Sequence, residues 1–148
     1  MIKKILVPID GSEHAHKALD YALDLAEKYS ANVVLLSVIP PMPAVAYAGL
    51  NNGSLPVWTD SYFNEMKEVH QKVLSDALEK RKVKPKVKIS TKLVEGRPAE
   101  KITETAKEEN FDLIVMGSRG LGGIKEFLLG SVSDRVADEA SCPVLIVK

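Results

Sequence analysis

The stretch Leu113-Ile114-Val115-Met116-Gly117-Ser118-Arg119-Gly120, followed after nine residues by Gly130-Ser131-Val132-Ser133, decides how the chain folds. Its first four residues form a continuous apolar run, expected of a strand buried on both faces. Val132, Val136, Ala137 and Ala140 then recur at helical spacing. A strand, a glycine turn, a second glycine with hydroxyls and a helix start together form an anion cradle. Glycine lets backbone approach a ligand closely, and the free N–H groups and dipole of a helix start favour phosphate. The stretch therefore predicts a phosphate site, with a nucleotide as the leading ligand.

Working outward, Ile5-Leu6-Val7 reads as a first strand ending at Pro8-Ile9-Asp10-Gly11-Ser12. Ser12 suits an N-cap and Glu13 a first turn, with Ala15, Ala18, Leu19, Ala22, Leu23 and Ala26 marking a helix to about Tyr29. Val33 to Val38 reads as a second strand. Pro40 to Trp58 lacks periodicity and reads as a long loop, and a second helix carries Met66, Val69, Val73, Ala77 and Leu78. From Val87 to Leu93 apolar residues alternate with Lys86, Lys88, Ser90 and Lys92, the pattern of an edge strand guarded by lysines. Pro98 opens a helix through Ile102 and Ala106; Asp112–Met116 is the fourth strand and Val144–Val147 the fifth.

Strands alternating with helices imply a parallel sheet with right-handed crossovers. With the lysine-patterned strand at one edge and the continuously apolar ones inside, the order is 3-2-1-4-5. The expected fold is α/β: a doubly wound, open, five-stranded parallel sheet with helices on both faces, Rossmann-like, with residues 1–148 as one domain. The order reverses between strands one and four, so their C-terminal ends form the ligand crevice. Pro8-Ile9-Asp10 and Met116-Gly117 lie at those ends.

Composition narrows the function. The chain is 45% hydrophobic and 27% charged, which excludes overall disorder. Twenty basic and twenty acidic side chains cancel, leaving no global field to steer it to nucleic acid or anionic membrane. The run Lys80-Arg81-Lys82-Val83-Lys84-Pro85-Lys86 lacks interleaved aromatics and reads as a solvated helix end. A single cysteine, Cys142, excludes an internal disulfide framework and, without a signal or membrane-spanning pattern, places the protein in the cytoplasm. Cys142 itself reads as a packed, inert thiol. His14 and His16, two apart, point in different directions on a helix and read as solvated.

At these residues the chain resembles the universal stress protein family, in its nucleotide-binding branch. That branch carries Gly, two residues, Gly, nine residues, Gly and Ser/Thr; Gly117-Ser118-Arg119-Gly120, Leu121 through Leu129 and Gly130-Ser131 match it in full. Asp10-Gly11-Ser12 after the first strand, Gly96-Arg97-Pro98 after the third and Cys142-Pro143 before the last also match, so the resemblance spans the chain. It implies an ATP-binding α/β protein, usually a homodimer, acting in stress adaptation. It favours a regulatory or sensing role, with weak or no hydrolysis. A slow ATPase or phosphotransferase is the enzymatic alternative, and a nucleotide-free module that binds an unidentified protein through residues 40–58 is another.

Resemblance and strand order together assign Gly117, Arg119, Gly120, Gly130, Ser131, Val132 and Ser133 to the phosphates and ribose. Backbone N–H groups and the hydroxyls of Ser131 and Ser133 are the expected donors. The plain structural alternative has the glycines serving turns and Ser131 capping a helix. The segment is not a P-loop, because no Gly-Lys-Ser/Thr follows the strand, and Lys125 stands where a dinucleotide fingerprint needs its third glycine. Arg119, between the glycines, is the expected phosphate cation ahead of Lys125. Asp10 is expected to bond ribose or adenine, or to touch Mg²⁺ or Mn²⁺ carried by phosphates. Ser12 divides between ligand and cap. Pro8, Ile9, Val38 and Met116 are candidate walls for adenine, with ATP expected and ADP or AMP as variants. The fifth strand lacks lysines, so its apolar edge predicts pairing with a second copy through Val144–Val147.

Overall fold

The computed structural model describes residues 1–42, 55–79, 84–122 and 129–148, with residues 55–59 as backbone only. Among the described residues five strands alternate with four helices: β1 (Lys4–Pro8), α1 (Glu13–Tyr29), β2 (Asn32–Ile39), α2 (Leu55–Glu79), β3 (Ile89–Glu95), α3 (Pro98–Glu108), β4 (Leu113–Gly117), α4 (Ser131–Glu139) and β5 (Val144–Val147). The strands form one parallel sheet in the order β3-β2-β1-β4-β5, as the lysine pattern and apolar runs predict.

Alternation along the strands divides the core. Ile5, Val7, Val33, Leu35, Leu113 and Val115 join residues of α1 and α2 in one apolar cluster. Leu6, Val34, Leu36, Ile114 and Met116 turn the other way, onto α3 and α4. Burying a Leu, Ile or Val side chain contributes roughly 1.5–3 kcal/mol, whereas an exposed ion pair such as Arg135–Glu139 contributes about 0–1 kcal/mol. The two clusters, not the surface pairs, hold the layers together.

Local chemistry sets the ends of the elements. Ser12 Oγ accepts from the Ala15 N–H at 3.2 Å and starts α1, and Ser30 ends it in the left-handed region at φ 55°. Pro98 stands in the first turn of α3. The Asp112 carboxylate accepts from the Lys3 and Lys4 N–H groups, at 2.8 and 2.9 Å, and ties the start of β1 to that of β4. Those two bonds hold its carboxyl below the ordinary aspartate value. Lys92 forms an ion pair with Glu109, and Lys84 pairs with Glu27 and Asp24, so these edge lysines guard the sheet in partnership with carboxylates.

The structure differs from the sequence reading in several places. Residues 55–58, read as loop, begin α2; Pro56 is in its first turn, where a missing N–H is harmless. The rest of the 40–58 reading, from residue 43 to residue 54, lies outside the described residues, as do Lys125 and most of the 80–86 basic run. Val69 is 51% exposed, and the buried face of α2 instead passes through Met66, His70, Leu74 and Ala77. Strand β3 lies two residues beyond the expected span, because Val87, although buried, belongs to the turn before it. In α4, Ser133 takes the buried position expected of Ala137. His14 and His16 are half-buried rather than solvated. Cys142 is half-buried against the α3–α4 cluster, and burial raises its thiol above the ordinary value, consistent with the inert reading.

Candidate functional site

The strand order reverses between β1 and β4, and a cleft of about 1200 Å³ opens beyond their C-terminal ends. Every candidate from the sequence lines it: Pro8, Ile9, Asp10, Ser12, Val38, Met116, Gly117, Arg119, Gly120, Gly130, Ser131, Val132 and Ser133. Ligand pockets typically enclose roughly 300–1,000 Å³, so a nucleotide with its phosphates has room.

The two ends meet through Asp10. Its Oδ1 accepts from the Ser12 N–H at 2.9 Å, which fixes the carboxylate across the β1–α1 turn. Its other oxygen faces the glycine turn: a methyl on Gly120 would lie 2.6 Å from Asp10 Oδ2. Gly117 has another reason to be glycine. A methyl there would meet the carbonyl carbon and Cβ of His14, both at 2.7 Å, and the Ala15 nitrogen at 2.9 Å. Its small size lets α1 lie directly against the end of β4.

Gly130, not Ser131, is the N-cap of α4, so the alternative in which Ser131 caps the helix falls. As a glycine it has no side chain with which to cap the helix. Ser131 and Val132, the first residues of α4, line the cleft, and their N–H groups have no acceptor within the helix. Ser133 is buried, and its hydroxyl donates to the Ser118 carbonyl at 2.7 Å. The Gly130 N–H reaches the same carbonyl at 2.6 Å. Ser133 thus braces the turn that presents Gly120 and Arg119. Arg119 is half-buried and lines the cleft.

The apolar wall is broader than the sequence indicated. Leu36 of β2, Pro40 just beyond that strand, and Pro98 and Ile102 of α3 also line it. The Gly96-Arg97-Pro98 motif was the available signal for α3, since it places a helix start beyond strand three. No motif pointed to His70 or Ser37. Ser37 Oγ and His70 Nδ1 lie 2.6 Å apart behind the cleft wall. Burial lowers the imidazole's pKa below the ordinary value, and the charge of Asp10 partly opposes this. Among the described residues, three or more His, Cys, Asp or Glu side chains nowhere cluster as a metal site.

Residues 1–148 match the sequence profile of the universal stress protein family. The chain belongs to that family. It is 42% identical over 151 residues to universal stress protein YxiE of Bacillus subtilis, covering all of both chains. Among solved structures it is similar to hypothetical protein MJ0577, with a TM-score of 0.82 and 32% identity, covering 100% of this chain and 96% of the other. The curated MJ0577 protein comes from Methanocaldococcus jannaschii. A universal stress protein in complex with cAMP aligns with a TM-score of 0.69 and 27% identity, covering 99% of this chain and 96% of the other. No helix among this family member's described residues is long and apolar enough to cross a membrane.

Proposed function

We propose that the cleft holds an adenine nucleotide, ATP in the first place, as a regulatory ligand in a stress response. The observation that carries this is the glycine-capped start of α4, which lines one cleft together with Arg119, Gly120 and Asp10. A helix start without a side-chain cap has donors and a dipole available to phosphate. The apolar wall of Ile9, Val38 and Met116 suits a planar base. The universal stress protein solved in complex with cAMP supports this reading, because that relative holds an adenine nucleotide. Mg²⁺ or Mn²⁺ would ride on the phosphates beside Asp10, whose Oδ2 faces the glycine turn. The Ser12 N–H fixes the Asp10 carboxylate in place, and the reading favours holding a nucleotide over turning it over. A cytoplasmic location belongs to the same reading.

Purification, denaturation and mass spectrometry of the released small molecules test the proposal. ATP, ADP or AMP in near-equal amount to protein is the expected result. A protein that releases no adenine nucleotide and takes up none from solution with Mg²⁺ overturns it, whereas rapid release of phosphate would favour the ATPase alternative.

The edge strand supports a second part of the reading. β5 is the last strand of the sheet, and Leu145 within it is 37% exposed. An apolar edge without lysines suits pairing with a second copy. Sedimentation is expected to give a dimer for the unmodified chain and a monomer for Leu145→Glu. A monomer in both removes the proposal.

A further inference from the structure

Ser37 is fully buried and stands between two residues of the cleft wall, Leu36 and Val38. Strand alternation sends its hydroxyl to the opposite face, where it meets His70 Nδ1 at 2.6 Å. Two contacts set this pair level with Asp10. The Ile9 N–H donates to the Leu36 carbonyl at 2.8 Å, so Ser37 begins where β1 runs into Asp10. Gly11 faces Val73, one turn along α2 from His70; a methyl on Gly11 would lie 3.4 Å from Val73 Cγ2. The imidazole therefore lies behind the β1–α1 turn, with the cleft on the turn's other side.

Among the described residues, Asp10 is the charged group that acts on this ring. Ser37 from β2, Leu93 from β3 and Leu74 from the same helix share its face of the sheet and are uncharged. Lys67, Glu68 and Lys72 flank it along α2 and are exposed. The Ser37 bond survives a change of charge. With a neutral ring the Ser37 hydroxyl donates to Nδ1; with a protonated ring Nδ1–H donates to Ser37 Oγ. Protonation thus adds a charge behind Asp10 without moving the ring.

We propose that His70 is the proton-linked charge of the cleft: it takes up a proton when an anionic ligand lies beside Asp10, and the ligand binds more tightly as pH falls. The proposal rests on the nucleotide-holding reading above. An anion at the cleft favours the imidazolium, and by reciprocity the imidazolium favours the anion.

ATP affinity measured from about pH 8 to about pH 5.5 in the unmodified chain and in His70→Asn provides the test. An asparagine amide can keep a bond to Ser37 while removing the titratable charge, and ATP's own phosphate titration cancels in the ratio. The ratio of the two dissociation constants is expected to move in favour of the unmodified chain by about threefold as pH falls, a weak coupling between two charges. A flat ratio in two proteins that both bind ATP overturns the proposal and leaves the nucleotide reading standing. An unmodified chain that binds no ATP at any pH overturns both. A second measurement needs no variant: the NMR titration midpoint of the His70 ring is expected to rise on adding ATP, and an unchanged midpoint in an ATP-saturated sample also overturns it.

Discussion

Gly117→Ala is expected to lower the thermal unfolding midpoint by about 10 °C. The added methyl would lie 2.7 Å from the carbonyl carbon and Cβ of His14 and 2.9 Å from the Ala15 nitrogen. These are largely backbone atoms of α1, which has no rotamer to change. That helix buries Ala15, Ala18, Leu19, Ala22, Leu23 and Ala26 against the sheet, so relief requires moving a whole layer. Forced overpacking of this kind costs typically 1–3 kcal/mol. Near the upper figure, and at roughly 2–4 °C per kcal/mol for a chain of this size, the midpoint falls by about 10 °C. Differential scanning calorimetry measures it, and a fall of less than about 2 °C would show that α1 does not rest on β4 through this glycine.

Gly120→Val is expected to weaken ATP binding by about tenfold to a hundredfold while leaving the unfolding midpoint nearly unchanged. Gly120 is exposed, so the fold loses little packing. Its first added carbon would nevertheless lie 2.6 Å from Asp10 Oδ2. Turning the carboxylate aside re-aims Oδ2 away from the cleft, and a hydrogen bond between a charged group and a ligand contributes about 1.5–3 kcal/mol. Moving the turn instead shifts Arg119 and Gly120 relative to the start of α4. Either adjustment falls on groups proposed to hold the nucleotide or its metal ion, and each 1.4 kcal/mol or so is tenfold in affinity. Equilibrium binding by calorimetry checks this; unchanged affinity in a folded variant would separate the Asp10–Gly120 apposition from the binding site.

What was legible in the sequence was whatever short-range pattern encodes. The apolar run Leu113–Met116 can only be comfortable between two layers, and the lysines around Val87–Leu93 belong at an edge, so strand order followed. Once the order was known, Asp10 and Gly120 had to converge, although they are distant in sequence. Contacts made across the sheet were not legible. Val69 and His70 stand about 100° apart around α2, and hydropathy favours turning the valine inward, yet Ser37 offers a hydroxyl on the other bearing and histidine can satisfy it. Ser133 outweighs Ala137 for the same reason, because a buried carbonyl at Ser118 calls for donors. The Pro98–Ile102 wall depends on how α3 lies across β2, which no local spacing specifies. Pro56 hid the start of α2 because proline reads as a breaker everywhere except in a helix's first turn.

The Ser118 carbonyl receives both the Gly130 N–H and the Ser133 hydroxyl, so one acceptor fastens the beginning and the end of the segment between them. That clasp ties the turn after β4 to the start of α4, and both line the cleft. A single carbonyl therefore carries the alignment of two walls, and any change that displaces Ser118 shifts both of them at once.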